Sequence, residues 1–240
     1  MIIIISLAYQ NKVENIEKNI ENLLGQIYAA EQKYGRKNGS VRLLAVSKTK
    51  SATEVEKAIS AGLTDFGENY LQEALPKVES LRRFQPSWYF IGPLQSNKTR
   101  QVAENFDWVL SVDRKKTAKR LGSARPRQLG PLNLCIQVNV SGETSKSGVN
   151  MSEALPLALQ IMGQPGICLR GIMGIPAPTH EITEQRKAFR QLKDIFDTMN
   201  DHGLGLDTLS MGMSNDLESA IAEGSTMVRV GTAIFGQRNK

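Results

Sequence analysis

The chain has 240 residues, of which 40% are hydrophobic and 22% are charged, a composition typical of an ordinary soluble globular protein. Its 30 basic and 24 acidic residues leave a net charge of +6, which permits attraction to anions without indicating a polyanion-binding protein. Cys135 and Cys168 lack the spacing of a metal site. We predict two buried thiols in a reducing cytoplasm, with one disulfide as the alternative. The apolar first residues are too few to span a bilayer and lack the basic region of a signal peptide. We therefore expect a cytoplasmic protein without a membrane partner.

Residues 11–35 carry apolar side chains at helical spacing and predict an N-terminal helix. After it, strands and helices alternate. The predicted strands are 41–47, 64–67, 88–91, 107–111, 132–140, 167–174, 206–210 and 226–230, and the predicted helices are 52–61, 69–83, 96–105, 114–121, 151–162, 182–201 and 215–223. The stretch 122–131 is predicted to be an exposed loop.

Eight strands alternating with helices predict an α/β fold, a single (β/α)8 TIM barrel, with residues 1–40 as an N-terminal helical extension of one 240-residue domain. A doubly wound open sheet is the alternative. That fold usually has a glycine-rich turn after its first strand, whereas here the first strand ends in Ser47-Lys-Thr-Lys50.

Lys48 ends the first predicted strand. Residues two apart on a strand share a face, so Leu44, Val46 and Lys48 lie on one side, and Lys50 follows them if the backbone stays extended. A lysine at the polar end of an apolar strand, with a second cation nearby, is a candidate for an amine that forms a Schiff base with an aldehyde. The alternative is an ordinary solvent-facing lysine that closes a strand.

The last two strand ends predict a phosphate site. In barrels of this type, the loops after strands seven and eight commonly bind phosphate at the start of a short helix. Ser214 is placed to cap helix 215–223, and Gly231 and Thr232 offer backbone N–H groups and a hydroxyl. The alternative is that Ser214 serves only as a helix N-cap.

Arg229 is predicted to point into the barrel, because Val228 and Val230 suit the helix-facing side. A buried arginine needs a partner. That partner is either a carboxylate such as Glu68 or a ring nitrogen of a cofactor. An inward lysine, a phosphate site and an inward arginine together describe a site for pyridoxal 5'-phosphate (PLP).

Several segments resemble the pyridoxal phosphate homeostasis proteins, whose barrel is similar to the N-terminal domain of alanine racemase. The matching segments are Ala45-Val-Ser-Lys-Thr-Lys50, Phe66-Gly-Glu-Asn-Tyr70, Phe90-Ile-Gly-Pro-Leu-Gln-Ser-Asn-Lys98, Ser145-Lys-Ser-Gly148, Leu209-Ser-Met-Gly-Met-Ser214 and Gly224-Ser-Thr-Met-Val-Arg-Val-Gly-Thr-Ala-Ile-Phe-Gly236. They extend over nearly the whole chain from residue 41.

The resemblance implies a role for each matching residue. Lys48 would form the internal aldimine, Arg229 would face the pyridine nitrogen, and Asn69 would lie beside the ring. The phosphate would be held by Ser214, Gly231 and Thr232, with help from the backbone near Met213. Lys50 would be an accessory lysine, either a cation that tunes Lys48 or a second landing site for the aldehyde. Tyr89 departs from the family pattern, which often has histidine there.

Two functions follow from such a site. An arginine at the ring nitrogen leaves the pyridine largely neutral and a poorer electron sink. We also expect no β-rich second domain like the one that supplies the opposite base in racemases. The expected function is therefore to hold PLP and to buffer or deliver it to PLP-dependent apo-enzymes, as a monomer without catalytic residues. The alternative is a weak amino-acid racemase or lyase.

Residues 114–127 form a basic run. It holds Arg114, Lys115, Lys116, Lys119, Arg120, Arg125 and Arg127, with one acid, Asp113, directly before it. Such runs are usually solvated helix faces, and no aromatic residues are interleaved for stacking on bases, so we expect no nucleic-acid partner. The run could also attract a phosphorylated ligand or an acidic enzyme. His180 and His202 have no metal-like neighbours and are predicted to be surface residues.

Overall fold

A computed structural model describes residues 2–143 and 147–237, with side chains from residue 15 onward. The helices are α1 (Ile2–Lys33), α2 (Ala52–Ser60), α3 (Leu71–Ser80), α4 (Thr99–Asn105), α5 (Lys115–Ala124), α6 (Met151–Ile161), α7 (Ile182–Asp201), α8 (Leu217–Ala222) and α9 (Thr232–Phe235). The strands are β1 (Arg42–Val46), β2 (Asp65–Glu68), β3 (Ser87–Phe90), β4 (Trp108–Val112), β5 (Leu132–Asn139), β6 (Val149–Asn150), β7 (Ile167–Gly174), β8 (Thr208–Ser210) and β9 (Met227–Val230).

Eight parallel strands close into a barrel, which confirms the predicted fold. The order is β4-β3-β2-β1-β9-β8-β7-β5, and a further pairing between β4 and β5 closes the ring. The two-residue strand β6 pairs with β5 outside this ring. Closure brings β1 and β9 together, with Leu44 opposite Arg229. The first and last strands of the chain thus build one wall of the barrel.

Side chains alternate between the barrel interior and the surrounding helices. The interior is filled by one cluster of buried residues, namely Leu44, Tyr89, Trp108, Leu110, Cys135, Met173 and Met227. Their strand neighbours, such as Phe66, Phe90 and Val228, belong to the separate core between strands and helices. Side-chain direction thus alternates with a period of two, as predicted, and Leu44 and Arg229 lie on the inner face.

The helix α1 begins at Ile2, nine residues earlier than the sequence predicts. Its buried face includes Ile16, Ile20, Leu23 and Ile27. The Asn19 side chain donates a hydrogen bond to the Ile234 carbonyl in α9, at 3.0 Å. The N-terminal extension is therefore held against the last helix of the barrel. Within the described ranges, no helix combines the length and apolarity needed to cross a membrane.

Two predictions outside the site are wrong. Cys168 is exposed, whereas Cys135 is buried as predicted. The stretch 122–131 is only partly a loop, because α5 continues to Ala124 and a 3-10 turn follows at Arg127–Leu129. Arg125 holds this turn by donating to the carbonyls of Ala103 and Phe106, each at 2.7 Å.

Candidate functional site

Lys48 lies at the open carboxyl end of the barrel, two residues after β1 ends at Val46. Its side chain is half-buried. The preceding residue, Ser47, is fully buried, and its hydroxyl donates to Glu68 Oε1 at 2.6 Å. Lys77 of α3 donates to the Ser47 carbonyl at 2.9 Å. The backbone that carries Lys48 is thus fixed from outside the barrel.

Lys50 does not continue the line of Leu44, Val46 and Lys48. Thr49 has a φ of 64°, so the extended backbone stops there, and the Lys50 N–H bonds back to the Ser47 carbonyl at 3.0 Å. The Lys50 amine instead donates to the carbonyls of Phe235 and Gly236 at the end of α9, at 3.1 and 3.3 Å. A cation at a helix C-terminus is favourable, so Lys50 stabilises α9 in this structure.

Glu68 faces away from the barrel interior and pairs with Lys77, with Nζ and Oε1 2.5 Å apart. The expected alternative, a buried pair between Arg229 and Glu68, is therefore wrong. Burial raises the pKa of Glu68, and Lys77 opposes that shift. Because its other oxygen, Oε2, is buried without a hydrogen-bond partner among the described residues, Glu68 sits in a costly environment that depends on Lys77.

Arg229 points into the barrel, as predicted, and is 5% exposed. Its guanidinium donates to Ser210 Oγ at 2.7 Å and to the Gly174 carbonyl at 3.0 Å. Both partners are neutral. Burial lowers the pKa of Arg229 to about 10, and the carboxylate of Asp216 opposes that shift. Arg229 therefore stays charged at neutral pH and keeps donor capacity inside the barrel.

Asn69 follows β2 and borders a cavity of about 230 Å³ at the same end of the barrel. The other lining residues are Ile91, Pro93, Gln137, Val138, Asn139, Ser147 and Ile175. Asn69 Oδ1 is buried and has no hydrogen-bond partner among the described residues. Gly92 is required here, because a Cβ on it would lie 2.1 Å from the Asn69 carbonyl oxygen. The site thus contains a polar acceptor held in place beside open space.

The turn between β8 and α8 differs from its predicted form. The helix begins at Leu217, and its N-cap position is Asp216, so the prediction that Ser214 caps it is wrong. Ser214 is exposed in the turn. Asp216 Oδ1 accepts a hydrogen bond from the Met213 N–H at 2.6 Å, so this N–H already has an acceptor within the turn.

Gly231 and Thr232 form the start of α9, a helix that the sequence analysis did not predict. A Cβ on Gly231 would lie 2.9 Å from the Val46 carbonyl oxygen, so the glycine allows β9 to approach β1 closely. Thr232 is exposed. The start of α9 therefore lies beside the end of the strand that leads to Lys48.

The structure brings most of the predicted residues to one end of the barrel. Lys48, Asn69, Ser214, Gly231 and Thr232 all follow the carboxyl ends of strands, and Arg229 lies below them on the inner wall. The segment 144–146, which the sequence analysis included through its Ser145–Gly148 match, lies outside the described residues. The sequence analysis missed Ser210, Asp216 and Lys77. Ser210 was detectable, because it shares the inward parity of β8, whereas Lys77 carries no local signal.

One other expectation about residue types is confirmed. His180 and His202 are exposed. Across the described parts of the chain, no group of His, Cys, Asp or Glu side chains could hold a metal ion.

This fold and site define a class, the barrels that resemble the N-terminal part of alanine racemase, and comparison with known proteins confirms it. The family described as "Alanine racemase, N-terminal domain" matches residues 19–239. An alanine racemase from Corynebacterium glutamicum has a TM-score of 0.67 at 18% identity, and the match covers 94% of this chain and 62% of the racemase. That likeness shows a shared fold.

Nearer relatives identify the family. The pyridoxal phosphate homeostasis protein of Pseudomonas aeruginosa is 54% identical over 227 residues, covering 95% of this chain and 97% of that protein. PipY of Synechococcus elongatus, solved with PLP bound, is 32% identical with a TM-score of 0.79, covering 92% of this chain and 100% of PipY. The chain belongs to the pyridoxal phosphate homeostasis family.

Proposed function

We propose that this protein binds PLP at the carboxyl end of its barrel, holds it through Lys48, and buffers or delivers it to PLP-dependent enzymes without robust catalysis of its own. The names of its curated relatives and the PLP-bound structure of PipY support the cofactor and the homeostatic role. The main support is the pairing of β1 with β9, because the strand that ends two residues before Lys48 lies beside the strand that carries the inward Arg229.

The residues present fit this cofactor. The hydrogen-bond partners of Arg229 in the described ranges are both neutral, which suits a donor to an unprotonated ring nitrogen. Asn69 Oδ1 is a buried acceptor without a partner among the described residues, which suits the polar edge of a ring. Ser214 and Thr232 present hydroxyls at the open end, where a phosphate can keep contact with water.

Lys48 would hold PLP through its amine, a group that condenses reversibly with aldehydes. PLP, when bound, would supply that aldehyde. Because such a linkage consumes no other reagent, it would mask the aldehyde and still leave the cofactor available for release.

Arg229 favours holding over catalysis. When bound, PLP can stabilise carbanions in proportion to the positive charge on its ring. A guanidinium donates a hydrogen bond but does not transfer its proton at neutral pH, and its pKa of about 10 preserves that behaviour here. A ring that stays neutral would be a weak electron sink, which does not suit transaminase or decarboxylase chemistry.

An absorbance spectrum of the purified, PLP-loaded protein tests the proposal. We expect a band near ~420 nm that Lys48→Ala abolishes, and we expect borohydride reduction to attach the cofactor irreversibly to the wild type only. Lys50→Ala is the matched control and should retain the band. A wild type that cannot be loaded would refute the proposal.

A second assay distinguishes a PLP carrier from a PLP-dependent enzyme. The loaded protein is incubated with L- and D-alanine and compared with free PLP. We expect turnover no higher than that of the free cofactor. Sustained racemisation or elimination far above it would instead support a weak racemase or lyase.

We further propose that the chain is one domain and functions as a monomer. The hydrogen bond between Asn19 and Ile234 supports the first point, because it joins the N-terminal helix to the last one. Urea unfolding should then give one transition for barrel and helix alike. Sedimentation should give a mass near the 26.5 kDa of a single chain.

A further inference from the structure

The positive charge of this protein is concentrated in one segment. Residues 98–127 contain nine basic and three acidic residues, a net charge of +6, which equals the net charge of the whole chain. The remaining residues contain 21 basic and 21 acidic side chains and are neutral. The excess charge is therefore a property of one region and not of the protein surface in general.

This charge is displayed on the outer side of α4 and α5. The exposed cations of this basic face are Arg100, Arg114, Lys115, Lys116, Lys119 and Arg120. Two carboxylates lie among them, and each contacts one cation, Glu104 with Arg100 at 2.8 Å and Asp113 with Arg114 at 3.1 Å. Neither of these two carboxylates contacts Lys115, Lys116 or Lys119, so the three lysines add positive charge to the face.

The arrangement is unfavourable for α5 itself. Arg114, Lys115 and Lys116 occupy the N-cap and first turn, where the helix dipole is positive, and the first turn holds no acidic residue. Lys115 and Lys119, and likewise Lys116 and Arg120, are like charges four residues apart on the helix. By contrast, α2, α3, α6, α7 and α8 each have a glutamate in the first turn. A local arrangement that costs stability is expected where another function needs it.

The basic face adjoins the open end of the barrel. Since α5 follows the carboxyl end of β4, its N-terminal cations lie at the end of the barrel that also carries Lys48. Arg120 donates to the Ser96 carbonyl at 2.9 Å, in the loop after β3. Between α4 and α5 runs an open groove of about 560 Å³ that Arg100 and Arg120 border.

We propose that this basic face is a docking surface for the acidic surface of another protein. Outside this segment the chain carries as many basic as acidic residues, so a second copy offers no net negative charge to this face. Single-stranded nucleic acid usually needs exposed aromatic side chains for stacking, and the aromatic residues of this segment, Phe106 and Trp108, are both buried. That the docked protein is an enzyme receiving PLP rests on the proposed function, since the face adjoins the proposed cofactor site.

The test uses Lys115→Glu/Lys116→Glu in the full-length protein. This change places two acids in the first turn of α5 and converts both like-charge pairs into opposite pairs, so the melting temperature should stay equal or rise. The control is Lys37→Glu/Lys187→Glu, two exposed lysines outside the basic face. Both variants change the net charge by the same amount.

Binding is measured by biolayer interferometry against two probes, an apo-aminotransferase of net negative charge and a 20-base-pair DNA duplex. At low salt, the basic-face variant should bind the acidic enzyme at least about 10-fold more weakly than wild type, and the control should bind within about 2-fold of wild type. The difference should shrink at about 0.3 M salt, where charges are screened.

Three results would overturn the proposal: equal losses in both variants, no binding of the acidic enzyme by wild type, or preferential binding of DNA that the basic-face variant loses. Transfer of PLP to the same apo-aminotransferase is measured in parallel through its recovered activity. Binding without transfer would leave the docking surface intact and contradict the proposed delivery function, so the two failures are distinguishable.

Discussion

Polar side chains at the two ends of the barrel differ in the partners they have. At the amino end, Tyr89 donates to Asp65 at 2.6 Å and accepts from Arg42 at 3.0 Å. Arg170 pairs with Asp207 and also donates to the Asn133 side chain at 2.9 Å. The guanidiniums of Arg42 and Arg170 lie 5.6 and 4.9 Å from the ring centre of Trp108. Asp65, Arg42, Arg170 and Asp207 are thus each bonded to another polar side chain, and both arginines also contact an aromatic ring.

At the carboxyl end, polar groups are held in place without such compensation. Within the described parts of the chain, Arg229 bonds only to a hydroxyl and a backbone carbonyl, and Asn69 Oδ1 is buried without a partner. Buried polar groups of this kind cost free energy. The polar groups of the amino end therefore stabilise the barrel, whereas those of the carboxyl end keep bonding capacity that the proposed ligand would use.

Replacement of Arg229 gives the largest effect expected from this comparison. Arg229→Met should weaken PLP binding by about 10- to 100-fold, which corresponds to about 1.4–2.8 kcal/mol, because the inward donor to the ring is lost. The free energy of unfolding should change less, since removing a buried charge also removes its desolvation cost. Equilibrium dialysis and urea unfolding measure the two quantities. A large loss of stability with unchanged PLP affinity would place Arg229 with the structural residues.

Replacement of Tyr89, at the amino end, should affect stability and leave PLP affinity nearly unchanged. Tyr89→Phe removes the hydrogen bonds to Asp65 and Arg42 and should lower the free energy of unfolding by about 1–2 kcal/mol. PLP affinity should stay within about 2-fold, because the hydroxyl points away from the proposed site. Tyr89→His shows whether the residue common in the family can take over this role. Weakened PLP binding in Tyr89→Phe, with stability unchanged, would break the division between the two ends.

Asp216 tests how the proposed phosphate turn is held. Asp216→Ala removes the acceptor of the Met213 N–H and should weaken PLP binding by about 3- to 10-fold, in line with one hydrogen bond of about 1 kcal/mol. Asp216→Asn keeps an acceptor and should bind nearly as the wild type does. Pyridoxal, which lacks the phosphate, is the control ligand and should bind equally to all three. Equal loss for pyridoxal would indicate a general change of fold.

Lowering the pH should give the smallest of these effects, a loss of stability that arises at the amino end. Burial alone would raise the pKa of Asp207, but hydrogen bonds from Arg170 and Thr208 outweigh it and hold the pKa below its ordinary value of 3.8. Since the folded pKa is the lower one, the ionised carboxylate stabilises the protein above the unfolded value, and this contribution is lost as pH falls through the folded pKa. In urea titrations at and below pH 4, Asp207→Asn should lose less stability than wild type. Parallel curves would remove Asp207 from the stabilising network.

The sequence determined the barrel and the inward direction of its key side chains. The alternation of strands and helices predicted eight parallel strands, and the period of two placed Leu44 and Arg229 inside. Such inferences succeed because side-chain direction along a strand is a local property of the backbone. The hydrophobic pattern also predicted the N-terminal helix, although not its start at Ile2.

The tertiary structure decided which polar groups meet. Closure of the barrel joined β1 to β9 and so brought Gly231 against Val46, two residues before Lys48. The positive φ of Thr49 turned Lys50 toward α9, and Asp216 rather than Ser214 came to occupy the cap position of α8. Glu68 pairs with Lys77 of α3, outside the barrel, and not with Arg229 in the barrel interior. These outcomes depend on contacts between segments that are distant in the sequence. Several partners are available to each side chain, and the local sequence does not determine which one it binds.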